Sequence, residues 1–186
     1  LAIPFGMLAA YKRGTLADYT LMGASLLGMA VPSFLMGLLL MLVIGVKLGW
    51  LPVAGYAPLS AGLGEHLKFL ILPALSLGSI QAALIARMTR SSMLDILNLP
   101  FIRTARSKGL NELKVVGKHA FRNAFLPILT VIGQTFGTLV TGAVVVESIF
   151  NIPGLGQLIL NSIERRDYAV IQGVVLFVTI IYVAIN

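Results

Sequence analysis

Apolar positions in this chain neither alternate nor keep to one face of short helices. They gather in long stretches free of Asp, Glu, Lys and Arg. Four such stretches stand out: Leu21–Val46 (26 residues), Phe69–Ala86 (18), Asn123–Val146 (24) and Tyr168–Asn186 (19). A hydrocarbon core ~30 Å thick is crossed by roughly 20 apolar residues in a helix. Each stretch therefore predicts a spanning helix. Long basic side chains at the ends can snorkel, which places the expected spans at about 20–47, 68–90, 123–146 and 168–186. The opening run, residues 1–11, is too short to span alone and is expected to be part of a further span. The chain opens on Leu and stops inside an apolar run. It is expected to be a fragment with four full spans and a partial one. The predicted fold class is an all-α integral membrane bundle.

Composition sharpens this picture. Of the 186 residues, 58% are hydrophobic and 11% charged. Soluble domains carry about 25% charged residues, so a soluble enzyme is excluded, as is a disordered chain. There is no cysteine, which removes disulfides and thiolate chemistry. The net charge of +7 is unevenly placed. Residues 87–122 hold Arg87, Arg90, Arg103, Arg106, Lys108, Lys114, Lys118 and Arg122 against Asp95 and Glu112, a local net of +6. Basic loops stay on the cytoplasmic side, so the loop at about 91–122 is expected there, with the 12–19 turn. The segments 48–67 and 147–167 then fall outside. The excess charge needs no nucleic acid to explain it.

Individual segments add candidate roles. Pro32 predicts a kink in its span. Gly133, Gly137 and Thr141 form a small-residue stripe suited to close helix packing. Gln81 and Gln134 are buried-amide candidates that could line a polar pathway. No acidic or basic side chain lies within a span apart from the end positions, and His66 and His119 fall in loops. Intramembrane carboxylates mark many proton-coupled carriers. No catalytic cluster or metal-ligand set is visible, and no enzyme activity is expected. In the outer segment, Pro153-Gly154 predicts a turn. Leu155, Leu158, Ile159 and Ile163 follow with helical spacing. Glu147, Asn151, Pro153 and Gly154 are candidate outer-gate residues. In the basic loop, Pro100 opens a helical pattern and Gly109 interrupts it. Asn111 is placed to cap a second helix running to Asn123, and Glu112 suits its N-terminus.

The run Phe101-Ile-Arg-Thr-Ala-Arg-Ser-Lys-Gly-Leu110, with His119-Ala-Phe-Arg-Asn-Ala-Phe-Leu-Pro127, resembles the cytoplasmic loop of ABC-importer permeases. It is most similar to the peptide/nickel branch, the B-type dipeptide and oligopeptide permease subunits. Arg103-Thr104-Ala105 stands where the wider superfamily has Glu-Ala-Ala, while Gly109 and Leu126-Pro127 are kept. Gly49–Gly55, Glu147–Leu158 and Arg166-Asp-Tyr168 resemble that branch's outer loops.

The resemblance implies a type I ABC-importer permease bundle in a bacterial or archaeal inner membrane. It implies a second permease subunit, two ATPase subunits and an extracytoplasmic solute-binding protein as partners. ATP and Mg would be bound by the ATPases, with no cofactor on this chain. Arg103, Thr104, Ala105, Lys108, Gly109, Leu110 and Glu112 would form the ATPase-coupling loop. The substrates implied are dipeptides, oligopeptides and related solutes such as nickel complexes or glutathione. The alternatives are a secondary transporter or channel subunit, working without an ATPase, and a lipid-binding scaffold.

Overall fold

The computed structural model describes residues 1–185. The side chains of Thr141 and Ile185 lie outside that description, as does Asn186 at the end of the last expected span. The described chain is helical: α1 (Ala2–Tyr11), α2 (Leu16–Ala30), α3 (Ser33–Leu40), α4 (Leu63–Leu97), α5 (Pro100–Ser107), α6 (Glu112–Lys114), α7 (Phe121–Phe150), α8 (Leu155–Glu164) and α9 (Tyr168–Ile185). Two π-helical segments, Met41–Lys47 and Val115–Ala120, extend α3 and lead into α7. The all-α class is thus as the apolar runs predict.

By length and composition, Leu63–Leu97 and Glu112–Val140 suffice to cross a membrane. Two broken pairs bring the number to as many as four: Leu16–Ala30 with Ser33–Lys47, and Gly142–Phe150 with Leu155–Glu164. At 1.5 Å per residue, the 35 residues of α4 have a contour of ~52 Å.

The structure differs from the sequence reading in the span that holds Pro32 and at the end of α7. The expected continuous span at 20–47 is interrupted rather than kinked. α2 stops at Ala30, and Pro32 stands extended (φ −57°, ψ 147°) as the cap of α3. Proline has no N–H for the preceding turn and clashes with it, so restarting the helix at Ser33 is the cheaper solution. Within the expected loop at 91–122 the predicted helical stretches on either side of Gly109 are present. The loop's first residues complete α4, and its last stretch runs from α6 through the π segment into α7 without a break. The α7 helix also continues past the expected boundary at 146 to Phe150.

The chain divides into two compact units, Leu1–Ala30 with Ile80–Gly133, and Val31–Ser79 with the chain from Gln134 onward. In the first, Ala10, Met93, Ile102, Ala105, Val115, Val116, Ala120, Ala124 and Ile128 form one apolar cluster. It ties α1, the end of α4, α5, the π segment and the start of α7 together. Gly6 permits the closest approach. A Cβ there would sit 2.5 Å from the Ala86 carbonyl oxygen and 2.6 Å from Thr89 Cβ.

In the second unit, Met41, Leu72, Val146 and Phe150 make the core. Buried Ser76 on α4 donates to the Ser33 carbonyl at 2.5 Å. The Gly55 N–H donates to the Phe150 carbonyl at 2.7 Å, fastening the 48–62 segment to the end of α7.

Candidate functional site

The basic hairpin is the most highly specified local structure in the chain. Pro100 sits at the first helical position of α5, where a missing N–H costs nothing. Ile102 and Ala105 face the core and are buried. Arg103, Thr104, Arg106, Ser107 and Lys108 face away and are exposed. The helix ends in a Schellman motif. Gly109 adopts φ +75°, its N–H donates to the Arg106 carbonyl at 2.9 Å, and the Leu110 N–H donates to the Ala105 carbonyl at 3.3 Å. This pattern needs a left-handed residue after the helix, and glycine takes that conformation without a Cβ penalty. Leu110 then packs against the apolar cluster.

The chain restarts at once. Asn111 Oδ1 accepts from the Leu113 N–H at 2.9 Å, the cap expected from sequence. Arg106 Nε donates to Glu112 Oε1 at 2.7 Å across the turn, and Nη2 to Oε2 at 3.3 Å. Both side chains are about two-fifths exposed, so this clasp contributes under ~1 kcal/mol. Ala105 and Leu110 thus anchor the loop to the protein. Arg103, Thr104, Lys108 and Gly109 form its open face.

A second site forms where α7 turns into α8. Glu147 Oε2 accepts from the Gln157 N–H at 3.0 Å. Gln157 is the third residue of α8, so the carboxylate caps that helix and meets its positive end. Gln157 Nε2 also reaches Asn151 Oδ1 at 3.4 Å. A Cβ on Gly154 would meet the Glu147 carboxylate, and one on Gly156 would run into Val144 Cα. Asn151 stands at φ +51°, with the Ile152 N–H donating to the Glu147 carbonyl at 2.9 Å. Asparagine tolerates that region better than most residues. Pro153 is exposed beside this corner. The predicted outer-gate residues Glu147, Asn151 and Gly154 are therefore brought together, and Gln157 joins them unpredicted.

Arg166, at φ +57°, ends α8 in the same Schellman pattern, with the Asp167 N–H donating to Ser162 at 2.8 Å. Asp167 Oδ1 then accepts from the Val170 N–H at 3.2 Å and caps α9. These bonds give the Arg166-Asp-Tyr168 run its local logic.

The other candidates scatter. Gln134 lines an open cleft of about 830 Å³ between α7 and α9, with Gly137, Thr138, Thr179 and Tyr182. Gln81 is half-buried on α4. Of the small-residue stripe, Gly137 meets the Tyr182 ring, with a Cβ only 2.8 Å from Cε2. Gly133 has nothing within 4 Å of such a Cβ, and the side chain of Thr141 is outside the described residues. Gly142, beyond the stripe, makes the contact with Leu77 instead.

Sequence reasoning counted Asp18 and Arg90 only as charges. The structure pairs them. Arg90 Nε donates to Asp18 Oδ1 at 2.6 Å and Nη2 to Oδ2 at 2.7 Å. The Gly14 N–H adds a third bond to Asp18 Oδ2 at 3.0 Å. Thr15 followed three residues later by Asp18 marks a helix start and carries no sign of Arg90.

The fold and these sites define a class: a multi-pass, all-helical membrane protein with a basic, core-anchored hairpin. The chain belongs to the family described as "Binding-protein-dependent transport system inner membrane component", matched over residues 2–186. Among its relatives is a Brucella suis protein named as a peptide transport system permease, 48% identical over all of this chain and 59% of its own length. The di/tripeptide transport system permease protein DppB of Pseudomonas aeruginosa is 42% identical, over 97% of this chain and 60% of its own. The dipeptide transport system permease protein DppB of Escherichia coli is 42% identical, over 100% and 62%. The chain thus spans about three-fifths of the length of these curated relatives. The matches bear out the resemblance carried by the hairpin and loop motifs.

Proposed function

We propose that this chain is the membrane-spanning part of a permease subunit in an ATP-binding-cassette importer of an inner membrane, moving dipeptides, oligopeptides or related small solutes. The observation that carries this reading is the hairpin. Its inner face is locked into the core through Ile102, Ala105 and Leu110, and its outer face offers Arg103, Thr104 and Lys108. A rigidly backed, exposed helix is what a motor subunit needs in order to push. The subunit holds no nucleotide itself; ATP and Mg belong to two partner ATPase subunits, and this hairpin docks into a groove on an ATPase. A second permease subunit, as a heterodimer, completes the pathway, and a solute-binding protein delivers cargo from the other side.

Contacts support the charge-derived topology. The 12–19 turn and the hairpin, both assigned to the cytoplasmic side, lie in one compact unit, and Asp18–Arg90 joins the turn to the end of α4 that precedes the hairpin. The 48–67 and 147–167 segments, both assigned outside, lie in the other and are joined by the Gly55–Phe150 bond. The peptide class of substrate follows the printed names of the relatives.

The test uses the absence of cysteine in this chain. Arg103→Cys and Lys108→Cys, placed in the full-length subunit, should cross-link to the ATPase, and reconstituted complexes should take up dipeptide only with ATP. Uptake that persists without the ATPases would overturn the reading in favour of a channel or secondary carrier.

A further inference from the structure

The Asp18–Arg90 pair stands apart from the other ion pairs. Among the described residues the remaining two are exposed and local, Lys68–Glu65 and Arg106–Glu112. Asp18 and Arg90 are 72 positions apart, and Asp18 is 2% exposed while the Arg90 side chain is 26% exposed. The geometry is bidentate, which adds directional specificity to charge. Asp18 is the single buried residue of α2. Helix α1 is held by apolar packing through Gly6, Ala9 and Ala10. Helix α2 contributes nothing to the apolar cluster of its unit. It packs beside α1, and the Asp18–Arg90 pair is the ion pair that ties it to α4.

Arg90 is placed to matter. It lies on α4 seven residues before that helix ends at Leu97, and only Asn98 and Leu99 separate α4 from α5. Met93, one turn further along, packs in the same cluster as Ile102 and Ala105 of α5. The guanidinium is therefore carried by the part of α4 that packs in one cluster with the hairpin. A salt bridge differs from apolar packing in the way it holds. It fixes direction and register between two helices, yet it can be broken and remade as a unit.

We propose that Asp18 and Arg90 form a latch that makes α2 follow the hairpin-bearing end of α4. They are positioning residues for transport, acting through α2 and touching neither nucleotide nor cargo. This rests on the importer reading above and names the contact through which hairpin displacement reaches a second helix.

The test compares Asp18→Asn, Arg90→Gln, the double variant and Arg90→Lys in the full-length subunit, assembled with its permease and ATPase partners in proteoliposomes. Dipeptide uptake and ATP hydrolysis are measured on the same samples. Each single neutral variant should lower uptake per ATP hydrolysed by about tenfold, the scale of one lost charge-assisted contact. The double variant, which leaves no lone buried charge, should assemble normally and be no worse than either single one. Arg90→Lys should recover part of the ratio, because it restores charge without the fork.

A double variant with the wild-type ratio would overturn the latch and leave the pair as a folding element only. So would parallel loss of uptake and hydrolysis in every variant. A wild-type complex with no ATP-dependent uptake would instead overturn the importer reading, and the latch with it.

Discussion

Replacing Gly109 isolates one physical quantity, because the space around it is empty. A Cβ built there meets nothing within 4 Å. Within this chain the cost of a side chain is therefore conformational. At φ +75° an L-residue is penalised by ~1–2 kcal/mol. Asparagine is penalised least, alanine by about 1 kcal/mol, and β-branched valine most. At stake are the two capping bonds from Gly109 and Leu110 and the seating of Leu110 in the core. Losses of 1 and 2 kcal/mol correspond to about fivefold and thirtyfold less of the presented turn.

Uptake per ATP hydrolysed, measured in reconstituted full-length complexes, should fall in the order Gly109→Asn, Gly109→Ala, Gly109→Val. Asparagine should cost less than twofold and valine tenfold or more. Membrane insertion should be unchanged, since nothing in the spans is touched. Asparagine and alanine decide the matter. Asparagine is larger but better suited to the left-handed region. If Gly109→Asn is worse than Gly109→Ala, side-chain size governs and the backbone argument fails.

Two further outcomes follow from the α7–α8 corner and the end of α8. A Cβ on Gly156 would run into Val144 Cα, and lie 2.8 Å from Val144 Cγ2. Backbone cannot step aside, so Gly156→Ala should destabilise by about 2–3 kcal/mol. Gly154→Ala meets only the Glu147 carboxylate, which can swing away, and should cost less. Thermal unfolding of the full-length subunit in detergent checks this, and equal midpoints for the two would contradict it. Arg166→Gly removes a left-handed non-glycine residue at φ +57°. It should stabilise by about 0.5–1 kcal/mol, or about 2 °C in midpoint, and a lowered midpoint would show that the arginine side chain holds that corner.

Much of the function was legible in sequence because its determinants are local. The Schellman end of α5 depends on one glycine and its neighbours, and Asn111 caps a helix two residues away. Charge placement along the chain gave an expected orientation, and short motifs gave the family. The outer-corner residues were found by type and position, yet the partner that joins Glu147 to Asn151, Gln157, was not singled out. Its link to Glu147 depends on the direction in which α8 leaves the turn.

Sequence alone determined the class, because apolar run length is set by bilayer thickness and needs no knowledge of neighbours. It located the hairpin, because helix ends are written in residues three to five positions apart. Tertiary structure decided the rest. Pro32 could have kinked its helix or ended it, and the structure ends it at Ala30. Gly133 and Gly137 read alike as packing residues, but only Gly137 meets a side chain. Asp18 and Arg90 were two charges among 21 ionised Lys, Arg, Asp and Glu side chains until folding brought them to 2.6 Å. The reason is the same in each case. A pairing across 72 residues has no periodicity and no local signature, and it exists only once burial has made an unpaired charge costly.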